Sequence, residues 1–118
     1  MTENLILGID PGLKNTGWGV INSFKNKESY LSHGVIKTSS KDNLGERLVS
    51  IFRGVSKLTE KYKPSFISVE KIFSNINPES TLKLGKARGI IFLVAAMYKI
   101  KIIEYCTCFC RWSLICSS

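Results

Sequence analysis

The first 105 residues of this 118-residue chain contain no cysteine, and the whole chain has one histidine and three prolines. A disulfide framework spreads its cysteines over the loops it staples, so their absence up to Tyr105 excludes that class of scaffold. All four cysteines, Cys106, Cys108, Cys110 and Cys116, fall in the final segment. Their C-x-C-x-C spacing lacks the C-x₂₋₄-C pairs of structural zinc sites, and no histidine follows it. No apolar run reaches the roughly 18 residues of a membrane-spanning helix. The start, Met1-Thr2-Glu3-Asn4, lacks the basic residues and long apolar stretch of a secretory signal. The expectation is a soluble, cytoplasmic protein with no membrane partner. Acid is scarce: 9 Asp+Glu stand against 17 Lys+Arg, a net charge of +8, and the sequence pI is about 9.5. That balance fits a polyanion such as nucleic acid, although basic surfaces also occur in proteins that bind nothing acidic. A hydrophobic share of 44% and a charged share of 22% exclude a disordered tail or a coiled coil. A mass of 13.2 kDa leaves room for one domain.

What is there falls into short, well-punctuated segments. Leu5-Ile6-Leu7-Gly8-Ile9 is an apolar run that ends at Asp10-Pro11-Gly12, a buried strand broken by a Pro-Gly turn. Residues 16–24, with Trp18, Val20 and Ile21, predict a second strand, and residues 30–38 a third. Together they form a three-stranded antiparallel meander. The period then changes. Leu44, Leu48, Ile51 (or Phe52), Val55 and Leu58 recur every three or four residues, the buried stripe of an amphipathic helix that Pro64 ends. Phe66-Ile67-Ser68-Val69-Glu70 predicts a strand with a carboxylate at its C-terminal end. Asn77-Pro78-Glu79 is a helix start, and the helix runs to about Tyr98, burying Leu84, Ala87, Ile91, Val94 and Met97 or Tyr98. Gly85 and Gly89 cost this helix roughly 1 kcal/mol each relative to Ala. Close helix packing or close approach to a ligand would account for them. Lys101–Tyr105 is the last strand. The order β-β-β-α-β-α-β predicts an α/β or α+β fold with a mixed sheet.

Asp10 and Glu70 each stand at the C-terminal end of an apolar strand. If those strands are parallel neighbours, both side chains emerge at the sheet edge where open α/β sheets place their ligands. Two close carboxylates repel, and a divalent cation relieves that cost. Hard oxygens suit Mg²⁺, which keeps several waters. Two such ions about 3.5–4 Å apart activate a water and stabilise the leaving oxygen in phosphodiester hydrolysis. On spacing alone, a turn-supporting Asp10 and a solvated Glu70 are the more ordinary reading. Gly8, Gly12, Gly17 and Gly19 around Asp10 would let a phosphate approach the backbone.

Gly8-Ile9-Asp10-Pro11-Gly12 followed by Thr16-Gly17-Trp18-Gly19-Val20 resembles the first motif of the RuvC-type Holliday-junction resolvases. Val69-Glu70-Lys71-Ile72-Phe73, followed by Ser80-x-Leu82-Lys83-Leu84-Gly85-x-Ala87-Arg88-Gly89, resembles that family's second block. The resemblance covers roughly residues 5–105. It implies an RNase H-like fold, a mixed five-stranded sheet with flanking helices. It also implies a Mg²⁺-dependent crossover junction endodeoxyribonuclease that acts as a homodimer. Such enzymes nick two opposed strands of a four-way DNA junction in recombination and repair, with two Mg²⁺ per subunit and a branch-migration helicase complex as partner. Asp10 and Glu70 match the family's first two metal ligands. Phe73 matches an aromatic that contacts bases near the junction centre, although core packing is the ordinary role of such a residue. Lys83, Lys86 and Arg88 fall on the helix beside the site and would contact DNA phosphate, although a solvated face is the default for a single Lys.

The chain departs from the family after Glu104, beyond which it has no Asp, Glu or His. The family completes its site there with a further acidic pair on a helix. The expectation is therefore an incomplete nuclease domain over residues 1–105, its C-terminal helices missing. An aberrant Cys/Ser-rich tail would follow over 106–118, as in a truncated or frameshifted copy of impaired activity. Two other classes stay open: a non-catalytic DNA-binding remnant, and an ATP-binding domain of the actin and sugar-kinase type. The second needs another domain of comparable size to enclose its nucleotide.

Overall fold

The computed structural model describes residues 4–24, 27–70 and 78–105. Seven elements follow in the order β1 (Asn4–Asp10), β2 (Asn15–Phe24), β3 (Lys27–Lys37), α1 (Leu44–Tyr62), β4 (Phe66–Glu70), α2 (Pro78–Met97) and β5 (Lys101–Tyr105). The strands form one mixed sheet in the order β3-β2-β1-β4-β5. β1, β2 and β3 pair antiparallel, whereas β4 runs parallel to both β1 and β5. This is the RNase H-like arrangement expected from the resemblance.

Each helix shows how its limits arise. Asn43 precedes α1 in extended backbone, and its side chain accepts from the Glu46 amide at 2.8 Å. Glu46 Oε1 accepts in return from the Asn43 amide at 3.2 Å, a reciprocal capping box. At the far end Lys63 turns left-handed at φ 46°, its N–H donating to the Thr59 carbonyl, and Pro64 blocks continuation. α2 begins at Pro78, whose missing N–H costs nothing in a first turn.

Side chains alternate across a strand, and the alternation here divides core from site. Leu7 and Ile9 of β1, Val20 of β2, and Ile67 and Val69 of β4 are fully buried. They form one cluster with Ile51 and Val55 of α1 and with Ala87, Ile91 and Val94 of α2. Burying each such Leu, Ile or Val contributes about 1.5–3 kcal/mol. Both helices therefore lie on one face of the sheet, and the intervening Asp10, Ser68 and Glu70 belong to the other. Gly34 makes room for the Trp18 ring on the neighbouring strand, and Gly54 lets α1 approach β3 closely. A Cβ on Gly34 would lie 2.7 Å from the Trp18 ring, and one on Gly54 would lie 2.8 Å from Ile36.

Three details refine or correct the expectation. Met97 is 56% exposed and Tyr98 takes the inner position, so the helix phase resolves in favour of the tyrosine. Leu44, expected on the buried stripe, is exposed because it opens the helix ahead of the first turn that meets the sheet. Gly85 and Gly89 have nothing within 4 Å of an added Cβ, so packing among the described residues does not require them. No helix of the described residues is long and apolar enough to cross a membrane.

Candidate functional site

Asp10 is the last residue of β1 and Glu70 the last of β4. The parallel register pairs Ile6 with Phe66, Leu7 with Ile67, Gly8 with Ser68 and Ile9 with Val69. One step further sets Asp10 beside Glu70, on adjacent strands, at the same row and on the face the described helices leave alone. Their mutual field is felt: the Asp10 carboxyl is pushed above the usual carboxylate range, first by loss of water around it and then by the negative charge of Glu70. Asp10 as a residue is exposed, so its carboxyl is partly desolvated yet reachable from solvent.

The turn after Asp10 is locked from several sides. Thr16 is fully buried, and its hydroxyl donates to the Gly12 carbonyl at 2.7 Å. A Cβ on Gly12 would fall 2.4 Å from the Asn15 carbonyl oxygen, so only glycine fits there without a shift. The Thr38 hydroxyl donates to the Leu13 carbonyl, and Arg47 Nε in turn donates to that hydroxyl at 3.2 Å. Gly17 lies opposite Asp10 in the β1–β2 ladder, and its missing side chain leaves the carboxylate's flank open. A cavity of about 290 Å³ begins at Asp10 and crosses Gly17, Gly19 and Ile21 to Tyr30 and His33, whose rings lie 5.4 Å apart.

Of the remaining expected site residues, Lys83 and Lys86 are exposed on α2. Phe73 lies outside the described residues. Arg88 is placed differently from a phosphate contact: its side chain is 18% exposed and turned into the fold. A terminal nitrogen pairs with Glu104 Oε2 on β5, Nε donates to the Glu70 main-chain carbonyl at 3.3 Å, and the guanidinium lies 4.8 Å over the Phe92 ring. Sequence reasoning missed Glu104 altogether. Its one available signal is that it is the last acid in the chain, which says nothing of its partner.

Among the described residues no group of three or more His, Cys, Asp or Glu side chains is arranged to hold a metal ion. A pair of carboxylates with mutual repulsion and solvent access still fits Mg²⁺, which takes few protein ligands and retains water. It does not fit a closed four-ligand zinc site.

Three comparisons bear on this geometry. The family model described as crossover junction endodeoxyribonuclease RuvC matches residues 6–115, a match that runs past Tyr105 into the cysteine-bearing segment. The crossover junction endodeoxyribonuclease RuvC of Cupriavidus taiwanensis is 45% identical over 100 residues, and that of Paramagnetospirillum magneticum 41% over 110. These alignments take in 85% and 93% of the chain, but only 55% and 66% of the relatives, so the chain spans part of their length. The solved T. thermophilus RuvC in complex with Holliday junction substrate superposes with a TM-score of 0.79 at 27% identity, over 87% of this chain and 64% of that one.

Proposed function

The chain belongs to the RuvC family of crossover junction endodeoxyribonucleases, and we propose from this that it acts on four-way DNA junctions as a divalent-metal-dependent phosphodiester hydrolase. The observation that carries the reading is the pairing of Asp10 and Glu70 at the ends of adjacent parallel strands, close enough for Glu70 to raise the Asp10 carboxyl.

Asp10 and Glu70 would hold Mg²⁺ through their carboxylate oxygens. When bound, the metal supplies charge neutralisation at the scissile phosphate and lowers the pKa of a coordinated water. The chain's own residues supply the rest. Gly12 and Thr16 fix the turn that aims Asp10, and Gly17 keeps its flank open to a sugar-phosphate strand. Exposed Lys83 and Lys86 on α2 would offer phosphate contacts, and Phe73 a stacking surface for an exposed base. By family resemblance, a complete site would take two ions per subunit.

A homodimer is supported by α2. Its outer side carries Leu82 at 67% exposure, Leu93 at 49% and Met97 at 56%, with the bare Gly85 and Gly89 between them. That side also carries exposed Lys86, and its apolar residues, on a helix whose inner face is already in the core, fit a second copy. A branch-migration helicase complex as further partner and a cytoplasmic location rest on the family alone.

One alternative is a junction-binding protein that does not cut. The test is a four-way junction binding and nicking assay with and without Mg²⁺. Junction-selective binding with paired, Mg²⁺-dependent nicks supports the enzyme, and selective binding without nicks supports the alternative. Binding no tighter than to linear duplex contradicts both.

A further inference from the structure

We propose that Arg88 is a positioning residue that holds Glu70 at the metal site from beneath. This rests on reading Asp10 and Glu70 as a metal-holding pair. Glu70 is the last residue of β4 and pairs with Tyr105 of β5. A main-chain carbonyl at the end of a ladder needs a donor. Arg88 supplies one through Nε, reaching from α2 across the top of the core.

The other end of the guanidinium is anchored independently. Glu104 occupies the row of Val69 on β5, on the helix-covered side, and receives the terminal nitrogen as an ion pair. Phe92, one turn along α2, supplies a ring face beneath the planar group. One side chain thus joins α2, the end of β4 and the end of β5. Only arginine can do all three, because its planar fork donates in two directions while stacking, whereas a lysine ammonium is a single point charge. The pairing also cancels the guanidinium's charge locally, which makes Arg88 a poor phosphate contact compared with exposed Lys83 and Lys86. Groups that orient a metal ligand from behind typically cost 10–100-fold in metal affinity when removed.

The test uses the full 118-residue chain with Arg88→Lys, Glu104→Gln and Lys86→Ala. Three properties are measured: amide hydrogen exchange at Val69 and Glu70 without metal, Mg²⁺ affinity by calorimetry, and four-way junction affinity without metal. Arg88→Lys and Glu104→Gln should each speed exchange at the end of β4 and weaken Mg²⁺ binding by about tenfold, with junction affinity changed less than twofold. Lys86→Ala should do the reverse, weakening the junction and sparing exchange. Glu104→Gln keeps the decision available should Arg88→Lys fold poorly. Unchanged exchange in both variants overturns the proposal. So does a loss of junction affinity in Arg88→Lys that Glu104→Gln fails to reproduce, since that pattern marks a phosphate contact. A wild-type chain that takes up no Mg²⁺ removes the metal reading of the carboxylates, while the exchange result still decides the role of Arg88.

Discussion

Asp10 is held in a state that opposes folding at neutral pH. Desolvation and the charge of Glu70 raise its carboxyl in the folded chain above the ordinary carboxylate range. The folded state therefore binds that proton more tightly than the unfolded state does. Its stabilising effect is complete at low pH and is lost as pH rises from the ordinary carboxylate value through the raised one. Asp10→Asn should accordingly raise the melting temperature at pH 7, and the gain should vanish below about pH 3.5, where the unfolded carboxyl is itself protonated. Thermal unfolding followed by circular dichroism across that range reads the effect. An unchanged or lower melting temperature for Asp10→Asn at pH 7 would contradict the assigned repulsion. Gly12 gives a second residue-scale expectation. Gly12→Ala drives a methyl group against the Asn15 carbonyl and should destabilise by about 1–3 kcal/mol, measured by chemical denaturation.

The elements differ in how far the sequence reveals them. α1 is legible because Leu48, Ile51, Val55 and Leu58 recur at helical spacing and all pack in or against the core, although the buried Thr59 lies off the expected stripe. Its start is legible too, since Asn43 and Glu46 stand at capping-box spacing. Asn43→Ala should cost about 1 kcal/mol of stability, seen as a lower denaturation midpoint with unchanged slope. α2 is legible as a helix but not in orientation. Apolar residues lie all round it, so periodicity alone could not choose between Met97 and Tyr98 as the inner residue. Its glycines read as close-packing positions, yet the space beside them is open. If a second copy covers that side, Gly89→Ala should raise the stability of the monomer by up to about 1 kcal/mol while weakening self-association, as read by sedimentation velocity. Stabilisation with no change in association would remove the dimer argument from this face. Strand register was beyond reach of the residues alone. The shift between Val20 and Ile21 and the pairing of Arg88 with Glu104 depend on tertiary placement, not on local pattern.

Across the whole molecule, the sheet order β3-β2-β1-β4-β5 turns two distant carboxylates into neighbours, and the two described helices pack on the opposite face. The two acids were legible because each closes an apolar strand, and the family resemblance named them. The other expected site residues divide: Lys83 and Lys86 face solvent, Arg88 turns inward, and Phe73 is outside the described residues. With a net charge of +8, junction affinity should fall steeply with salt, because phosphate contacts release condensed counterions. Binding titrations from about 50 to 200 mM salt should show at least a tenfold loss. A flat profile would sever the link between charge and DNA.

The joint role of Asp10 and Glu70 is open to direct measurement by Mg²⁺ calorimetry on the wild-type chain, Asp10→Asn, Glu70→Gln and the double variant. A shared site predicts that the wild type binds, that each single substitution removes most of the binding, and that the double variant loses no more than either single one. Binding that survives both single substitutions, or two losses that simply add, would show that these carboxylates do not hold one metal between them.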